Sequence, residues 1–555
     1  MKRTNWYKDA IIYQIYPRSF KDTDDDGFGD IKGIIEKLDY LKELGVTCVW
    51  LSPIYNSPQE DNGYDISDYF NIYPPFGTLD DFKLMIKGMH ERGIKLIMDL
   101  VVNHTSSEHA FFQDVLKNPN SPYKDYYIIK KGKKNGKKPP NNWTGFFGEK
   151  AWEKLPYGDE YYLHLFAKGQ PDLNWENIKV REYVKSILKF WLDLGVDGFR
   201  CDVINLISKK QDFKSKYNSP FLIGKEDYIN GPRLHEFLHE LYEDVYSHYD
   251  SMTVGETVLS TLDDAILLTK EDREELSMIF NFDHVDVDGF LGIKWLKRRF
   301  SLRRWKKIYK KWQEGLYLKG WNSLFIENHD QRRSIGRFNT DEGKYRLESS
   351  KALAATYFLM QGTPFIYQGQ EIGMGNPHFK SLDEIKDVET HNINRILNKI
   401  PLLRLWLTKN RLFEYSRDNA RTPILWDDSI YGGFSNVRPW LDVNKDKTYN
   451  ARAALSNKNS LFYHYQSLIE LKKKYKVLKD GKYIPLLMKD KQIFMYKRCN
   501  NEEEIVVISN FSKKLVKRKK LKEYNDYELL LGNYMDKSNI DILRPYESKV
   551  LYRKK

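Results

Sequence analysis

The stretch at 195–205, GVDGFRCDVIN, sets an arginine and an aspartate two residues apart, Arg200 and Asp202, inside an otherwise apolar run. Phe199, Cys201, Val203 and Ile204 give it the look of a strand covered on both faces, apolar nearly throughout rather than alternating. Residues two apart on a strand share a face. Two opposite charges therefore meet at the end of this strand, and strand ends are where a parallel barrel presents its functional groups.

Seven more runs of the same kind flank it: AIIYQIY at 10–16, CVWLSPI at 48–54, KLIMDLVV at 95–102, MTVGET at 252–257, MIFNF at 278–282, SLFIEN at 323–328 and TPFIYQG at 363–369. Between them, 30–44, 79–93 and 180–195 carry apolar residues at helical spacing. Eight strands alternating with helices predict an α/β protein built on a (β/α)8 TIM barrel. Residues 1–103 form its first part and 172–475 its second. The rhythm breaks at 104–171, rich in Asn, Gly, Pro, Lys and aromatics, which predicts an inserted subdomain after strand three. It breaks again in an irregular excursion at 375–460. Residues 476–555 alternate in short runs such as KQIFMYKRC and EEIVVISNF, so a C-terminal antiparallel β domain is expected there.

The chain has 555 residues, 41% hydrophobic and 14% aromatic, enough for a large core. Its net charge of +13 gathers partly in KKGKKNGKK at 130–138, KRRFSLRRWKKIYKK at 297–311 and KRKKLK at 517–522. No nucleic-acid-binding motif accompanies them, so they read as solvated surface. Cys48, Cys201 and Cys499 offer neither a disulfide framework nor zinc spacing. No apolar run approaches the roughly 18 residues of a membrane span, and the N-terminal stretch does not read as a signal peptide. A cytoplasmic monomer is expected, with a small-molecule substrate and neither nucleic acid nor membrane as partner.

Polar residues recur where strands end: Asp99, Asn103 and His104 after the third, Arg200 and Asp202 on the fourth, Glu256 on the fifth, His329 and Asp330 after the seventh. Buried charge converging on one mouth is costly unless paired or used. Two facing carboxylates are the apparatus of glycosidic bond cleavage, one ionised and one protonated. Arg200 beside Asp202 should hold that aspartate charged. Glu256 follows MTVG with no cation adjacent in sequence, and a less polar setting should keep it protonated.

These residues resemble the α-amylase family of glycoside hydrolases, most closely its oligo-1,6-glucosidase (α-glucosidase) branch. The resemblance rests on DLVVNHTS at 99–106, QPDLNW at 170–175, GFRCDVIN at 198–205, TVGET at 253–257, ENHDQ at 327–331 and GTPFIYQG at 362–369. It implies that Asp202 is the nucleophile and Glu256 the acid/base of a retaining reaction, their carboxyls roughly 5–5.5 Å apart. It implies that Asp330 grips the distorted sugar and that Asp65 and Tyr64, in NGYDISDYF, hold and stack the terminal glucose. His104, Arg200 and His329 would bond the same ring. Arg417, in SRDNARTP, would close the pocket with Asp65, giving exo-action. Val203 resembles the residue that accompanies α-1,6 preference; as a β-branched strand residue it also has a purely structural reading.

Asp22, Asp24, Asp26 and Asp30 alternate around a glycine turn in DTDDDGFGD, and carboxylates so crowded repel unless a cation joins them. The spacing opens like a calcium loop, but Gly33 stands where a bidentate glutamate would close an EF-hand. The stretch is similar to a metal loop of the α-glucosidase branch, which implies calcium, with magnesium as the alternative, in a structural role and with the Phe28 carbonyl as a further ligand. Two departures from the family pattern bear on substrate detail beyond the first glucose: Arg332 replaces a proline and Leu425 a glutamine. The rival readings within the scaffold are a trehalose-6-phosphate hydrolase and a sucrose isomerase. Isomerases carry an Arg-Leu-Asp-Arg motif after the sixth strand, where this chain reads FDHVDVDG, with Asp286 and Gly289 in place of arginines. A non-catalytic relative would lack the carboxylates and carry a membrane span.

Overall fold

The apolar runs become strands because each is covered on both sides. In the computed structural model, which describes residues 4–217, 222–290, 293–341, 343–399, 409–536 and 539–555, they are β1 Ile12–Ile15, β2 Cys48–Leu51, β3 Lys95–Leu100, β4 Gly198–Cys201, β5 Met252–Glu256, β6 Met278–Phe280, β7 Ser323–Leu324 and β8 Thr363–Tyr367. They pair in parallel in the order β6-β5-β4-β3-β2-β1-β8-β7. A parallel bridge between Ile279 and Asn322 joins the two ends, so the sheet closes into a barrel.

Alternation divides the strand residues between two cores. Ile12, Cys48, Trp50, Ile97, Val254, Met278, Phe280 and Phe365 fill the barrel interior. Tyr13, Ile15, Val49, Leu51, Leu96 and Met98 face outward into the layer packed by helices such as Leu79–Glu91 and Ile178–Asp193. Further along the inward face the sequence turns polar: Gln14 follows Ile12, Asp99 follows Ile97 and Glu256 follows Val254. Register lines these groups up. Asp99 lies opposite Arg200, and Val254 opposite Arg200 on the other side, which puts Glu256 level with Asp202. Gly198 starts β4 at φ +155, and a Cβ there would come 2.1 Å from the Met252 carbonyl oxygen. Only glycine lets β4 approach β5 so closely.

The insertion after β3 contains a three-stranded antiparallel sheet, Ile129–Lys131, Glu160–Leu163 and Trp152–Lys154. A buried ammonium ties the two residues that flank the insertion to the turn after β4: Lys209 Nζ lies 2.9 Å from Asn103 Oδ1, 2.7 Å from the Leu206 carbonyl and 2.9 Å from Asp172 Oδ2. Beyond the barrel, a five-stranded antiparallel sheet runs from Lys482–Leu486 to Ser548–Lys554. It is stapled to the barrel helix Leu302–Gly315, whose Lys306 donates to the carbonyls of Leu487, Asp490 and Ile493 at 2.6–2.9 Å. That helix holds much of one basic run. Leu302, Trp305, Tyr309 and Trp312 face inward while Arg303, Lys307 and Lys310 stay exposed. Among the described residues, no helix is long and apolar enough to cross a membrane.

Candidate active site

Three carboxylates meet one guanidinium where β3, β4 and β5 end. Arg200 Nη1 bonds Asp99 Oδ1 and lies 2.6 Å from Asp202 Oδ1, while Nη2 bonds Glu256 Oε2. The arginine is itself 2% exposed, its guanidinium set between the rings of Trp50 and Tyr64 at 5.3 and 5.6 Å. Trp50 donates its indole N–H to Asp99 Oδ2 at 2.8 Å. Arg200 thus serves Glu256 as well as Asp202, a cation for the glutamate that its sequence neighbours do not reveal. The carboxyls of Asp202 and Glu256 are thereby held side by side by the two arms of one guanidinium.

This crowding changes the electrostatics expected from sequence. Burial pushes Asp202 up to about 7; Arg200 opposes the rise, but the charge of Asp99 adds to it. Burial likewise pushes Glu256 up to about 7, against Arg200 and with the charges of Asp202 and Asp330. Asp99 rises to about 6, chiefly through burial. The expectation that Arg200 simply depresses Asp202 therefore fails, since one cation is divided among three carboxylates in a desolvated site. Within the pair the effects have opposite sign: Glu256 lowers Asp202, while the Asp202 charge raises Glu256.

The opposite wall comes from β7 and the excursion after β8. Tyr64 stacks on His329 with ring centroids 5.2 Å apart and planes 6° from parallel. Gln14 Nε2 lies 2.9 Å from His329 Nδ1, which leaves Nε2 to face Asp330 Oδ2 at 3.1 Å. Asp330 Oδ1 takes Arg421 at 2.6 Å and Arg417 at 3.5 Å. Burial would raise Asp330, but His329, Arg417 and Arg421 outweigh it and hold the carboxyl well below the usual range. His104 points Nε2 at the Tyr64 carbonyl, 3.0 Å away, and lies 3.2 Å from Gln170.

Arg417 closes this wall, but with a different partner from the one expected. Its Nη2 lies 2.9 Å from Asp61 Oδ1 and 2.7 Å from Asp387 Oδ1. Asp65 is fully buried and bonds its own loop: Ser57 Oγ at 3.0 Å, the Glu60 N–H at 2.8 Å and the Asp61 N–H at 3.1 Å. Asp65 shapes the loop, and Asp61 is the carboxylate that the loop presents. Asp61, Asp387, Arg421, Trp50 and Gln14 are the site residues that sequence reasoning passed over. Only the turn residues SPQEDNG, which supply free N–H groups to a following aspartate, hinted at the exchange.

Val203 follows Asp202 at φ 35°, ψ 41°, in the left-handed region, where a β-branched residue is an outlier. The chain turns there directly from strand into the short helix Ile204–Leu206, and the Val203 N–H faces Glu256 Oε2 at 3.5 Å. Val203 is 5% exposed and packs in a cluster with Trp143, Leu206 and Tyr228. Strain of this kind is held only where surrounding packing enforces it.

In the aspartate-rich loop, oxygens of Asp22, Asp24 and Asp30 lie within 4.8 Å of one another. Burial and the charges of Asp30 and Asp22 raise Asp24. Asp26 does not join this group: its Oδ1 accepts the Phe28 N–H at 2.7 Å. The Phe28 ring packs on Arg18, which reaches Asn62 at 3.0 Å beside Asp61. Of the two departures, Leu425 is buried core, and Arg332 is paired with Asp288 and Glu414.

Comparison with known proteins agrees with this architecture. Residues 14–481 match the model of the alpha amylase catalytic domain. The chain is 50% identical to an oligo-1,6-glucosidase of Parageobacillus thermoglucosidasius, over 98% of both chains. It is 48% identical to a trehalose-6-phosphate hydrolase of Bacillus subtilis, covering 92% of this chain and 90% of that one. Among solved structures, an isomaltulose synthase from Klebsiella sp. LX3 superposes with a TM-score of 0.94 at 37% identity, over 99% of both chains. With the closed barrel, the insertion after β3 and the carboxylates at the ends of β4 and β5, the chain belongs to the alpha-amylase family of glycoside hydrolases.

Proposed function

We propose that this chain is a retaining, exo-acting α-glucosidase that hydrolyses terminal α-1,6-linked glucose from isomaltose and isomaltooligosaccharides. The observation that carries this reading is the pair Asp202–Glu256, bound by the two arms of Arg200 at the ends of adjacent strands. Inverting enzymes admit a water between carboxyls about 6.5–9.5 Å apart, and one guanidinium gripping both groups supports the shorter retaining arrangement.

In this mechanism an Asp202 oxygen attacks the anomeric carbon. The glycosidic bond breaks, its electron pair stays on the leaving oxygen, and that oxygen takes the proton of Glu256. Water then attacks the glucosyl ester, giving a proton back to Glu256 and releasing the Asp202 carboxylate with net retention. Asp330, held ionised by His329, Arg417 and Arg421, places negative charge beside the positive charge developing on the sugar. Tyr64 offers an aromatic face, and the Asp61–Arg417 pair stops the chain beyond one glucose, which supports exo-action.

The α-1,6 preference is supported by Val203 and by the relatives named oligo-1,6-glucosidase. A phosphorylated substrate is less suited. Among the described residues, Lys294, Arg332, Arg337, Arg417 and Arg421 beside the site each pair with a carboxylate. Initial rates on isomaltose, maltose, sucrose and trehalose-6-phosphate test this. Isomaltose should be cleaved fastest; a preference for trehalose-6-phosphate would overturn the reading.

Asp22, Asp24 and Asp30 would hold a divalent cation, calcium before magnesium because flexible all-oxygen sites suit the larger ion. Its role would be to neutralise the loop, remote from the bond being cut. A cytoplasmic monomer without nucleic-acid or membrane partners completes the proposal; sedimentation of the purified chain tests its oligomeric state.

A further inference from the structure

We infer that Arg332 is a positioning residue that braces the aglycone side of the pocket and so sets how well the leaving sugar is held; this rests on the α-glucosidase reading above. The segment after β7 sends side chains two ways. Asp330 faces Arg417 and Arg421, toward the closed end. Arg332 turns to the rim. Its Nη2 lies 2.9 Å from Asp288 Oδ2 and 3.3 Å from the Tyr415 hydroxyl, Nη1 bonds Glu414, and the guanidinium sits 4.3 Å over the Tyr415 ring.

Arg332 and its partners come from three different segments. Asp288 is in the loop after β6, Arg332 itself follows β7, and Glu414 and Tyr415 end the helix Lys409–Tyr415 beyond β8. Strand β6 is the neighbour of β5, which carries Glu256, so its loop borders the side from which Glu256 reaches the leaving oxygen. Asp288 is fixed a second time by Arg337, through Nη2 at 2.7 Å and Nε at 3.1 Å. Arg332 is 7% exposed and Asp288 3%, and removing one partner of a charge pair so buried leaves the other uncompensated.

The brace continues around the rim. Trp295 packs with Leu412 and Tyr415, Lys294 pairs with Glu389, and Glu389 lies 3.7 Å from Arg417 Nε. Arg417 then grips Asp61 at the closed end. The wall opposite the bound glucose is thereby tied to its floor. The proline that the family pattern carries at position 332 could make none of these contacts.

The test compares two substrates of the full-length enzyme. α-Glucosyl fluoride loses a leaving group too small to occupy the aglycone side; the disaccharide cleaved fastest by the wild type must occupy it. Arg332→Pro and Asp288→Asn should each raise KM for the disaccharide about tenfold with kcat little changed, the pattern of lost uniform binding. Their kcat/KM on α-glucosyl fluoride should stay within about threefold of wild type. Equal losses on both substrates, or no loss on either, would overturn the brace. Asp288→Asn keeps the side-chain shape and carries the test if Arg332→Pro does not fold. A wild-type protein inactive on both substrates overturns the glucosidase reading, and the brace with it.

Discussion

Arg417 and Asp61 meet at 2.9 Å across 356 positions of chain, and in the proposed function their ion pair closes the far end of the pocket. Both groups are buried, Asp61 at 4% exposure and Arg417 at 7%. Asp61→Asn should therefore lower kcat/KM for disaccharides by about a hundredfold, since a charge-assisted bond of roughly 2–3 kcal/mol is lost where the substrate ends. Asp65→Ala should act differently, lowering Tm by several degrees because three donors in the 57–61 loop lose their acceptor. Equal kinetic damage from both substitutions would reverse this assignment.

Asp202→Asn should reduce turnover of every glucoside to below about one per cent, with the circular dichroism spectrum unchanged. Glu256→Gln should lose about 100- to 10,000-fold on sugar leaving groups. It should lose far less on α-glucosyl fluoride, whose leaving group needs no proton. Retention of disaccharide activity by either variant would remove that residue from its role.

The alkaline limb of kcat/KM should fall near pH 7, where Glu256 gives up its proton. Because Asp202 and Glu256 share Arg200 and each shifts the other, the limbs of the profile belong to the pair rather than to single residues. The same shift has a signed effect on stability. Carboxyls raised above their unfolded values favour folding below the unfolded value and lose that benefit as pH climbs through about 7. Asp202→Asn removes one of the crowded charges, so it should raise Tm at pH 8 relative to wild type. The gain should shrink as pH falls toward 5. Thermal melts at several pH values read this directly, and a gain that grows on acidification would contradict it.

Chelation should lower Tm more than it lowers activity at moderate temperature, and added calcium should restore the loss. Asp24→Asn should abolish the chelator effect, because Asp24 is one of the three carboxylates that converge. Asp26→Asn should leave most of it, since that carboxyl lies outside the converging group. Differential scanning calorimetry with and without chelator distinguishes the two.

The barrel was legible because a strand covered on both faces must be apolar along its length, and runs such as KLIMDLVV and TPFIYQG meet that demand without ambiguity. The gathering of carboxylates at one end of the barrel was legible because polarity at the ends of such runs has no other cheap explanation. Asp65 was not, because DNGYDISDYF offers three aspartates, of which Asp61 and Asp65 stand four residues apart beside the same turn. Which one faces the pocket depends on a turn that consumes the other's hydrogen-bonding capacity. The electrostatics of Asp202 escaped for a similar reason. Adjacency showed its own arginine but not that Asp99 and Glu256, from neighbouring strands, draw on the same cation. Arg332 looked like an isolated departure until Asp288 and Glu414, distant in sequence, supplied its counter-charges.

Lys209 reaches three oxygens with a cation that the chain carries itself. An ammonium on a tether cannot be stripped by a chelator or diluted away. The junction of Asn103, Asp172 and the turn after β4 is thus indifferent to the mineral content of its surroundings. Its vulnerability is alkalinity: burial already lowers the affinity of Lys209 for its proton, so strong base, rather than metal starvation, is the condition that would loosen it.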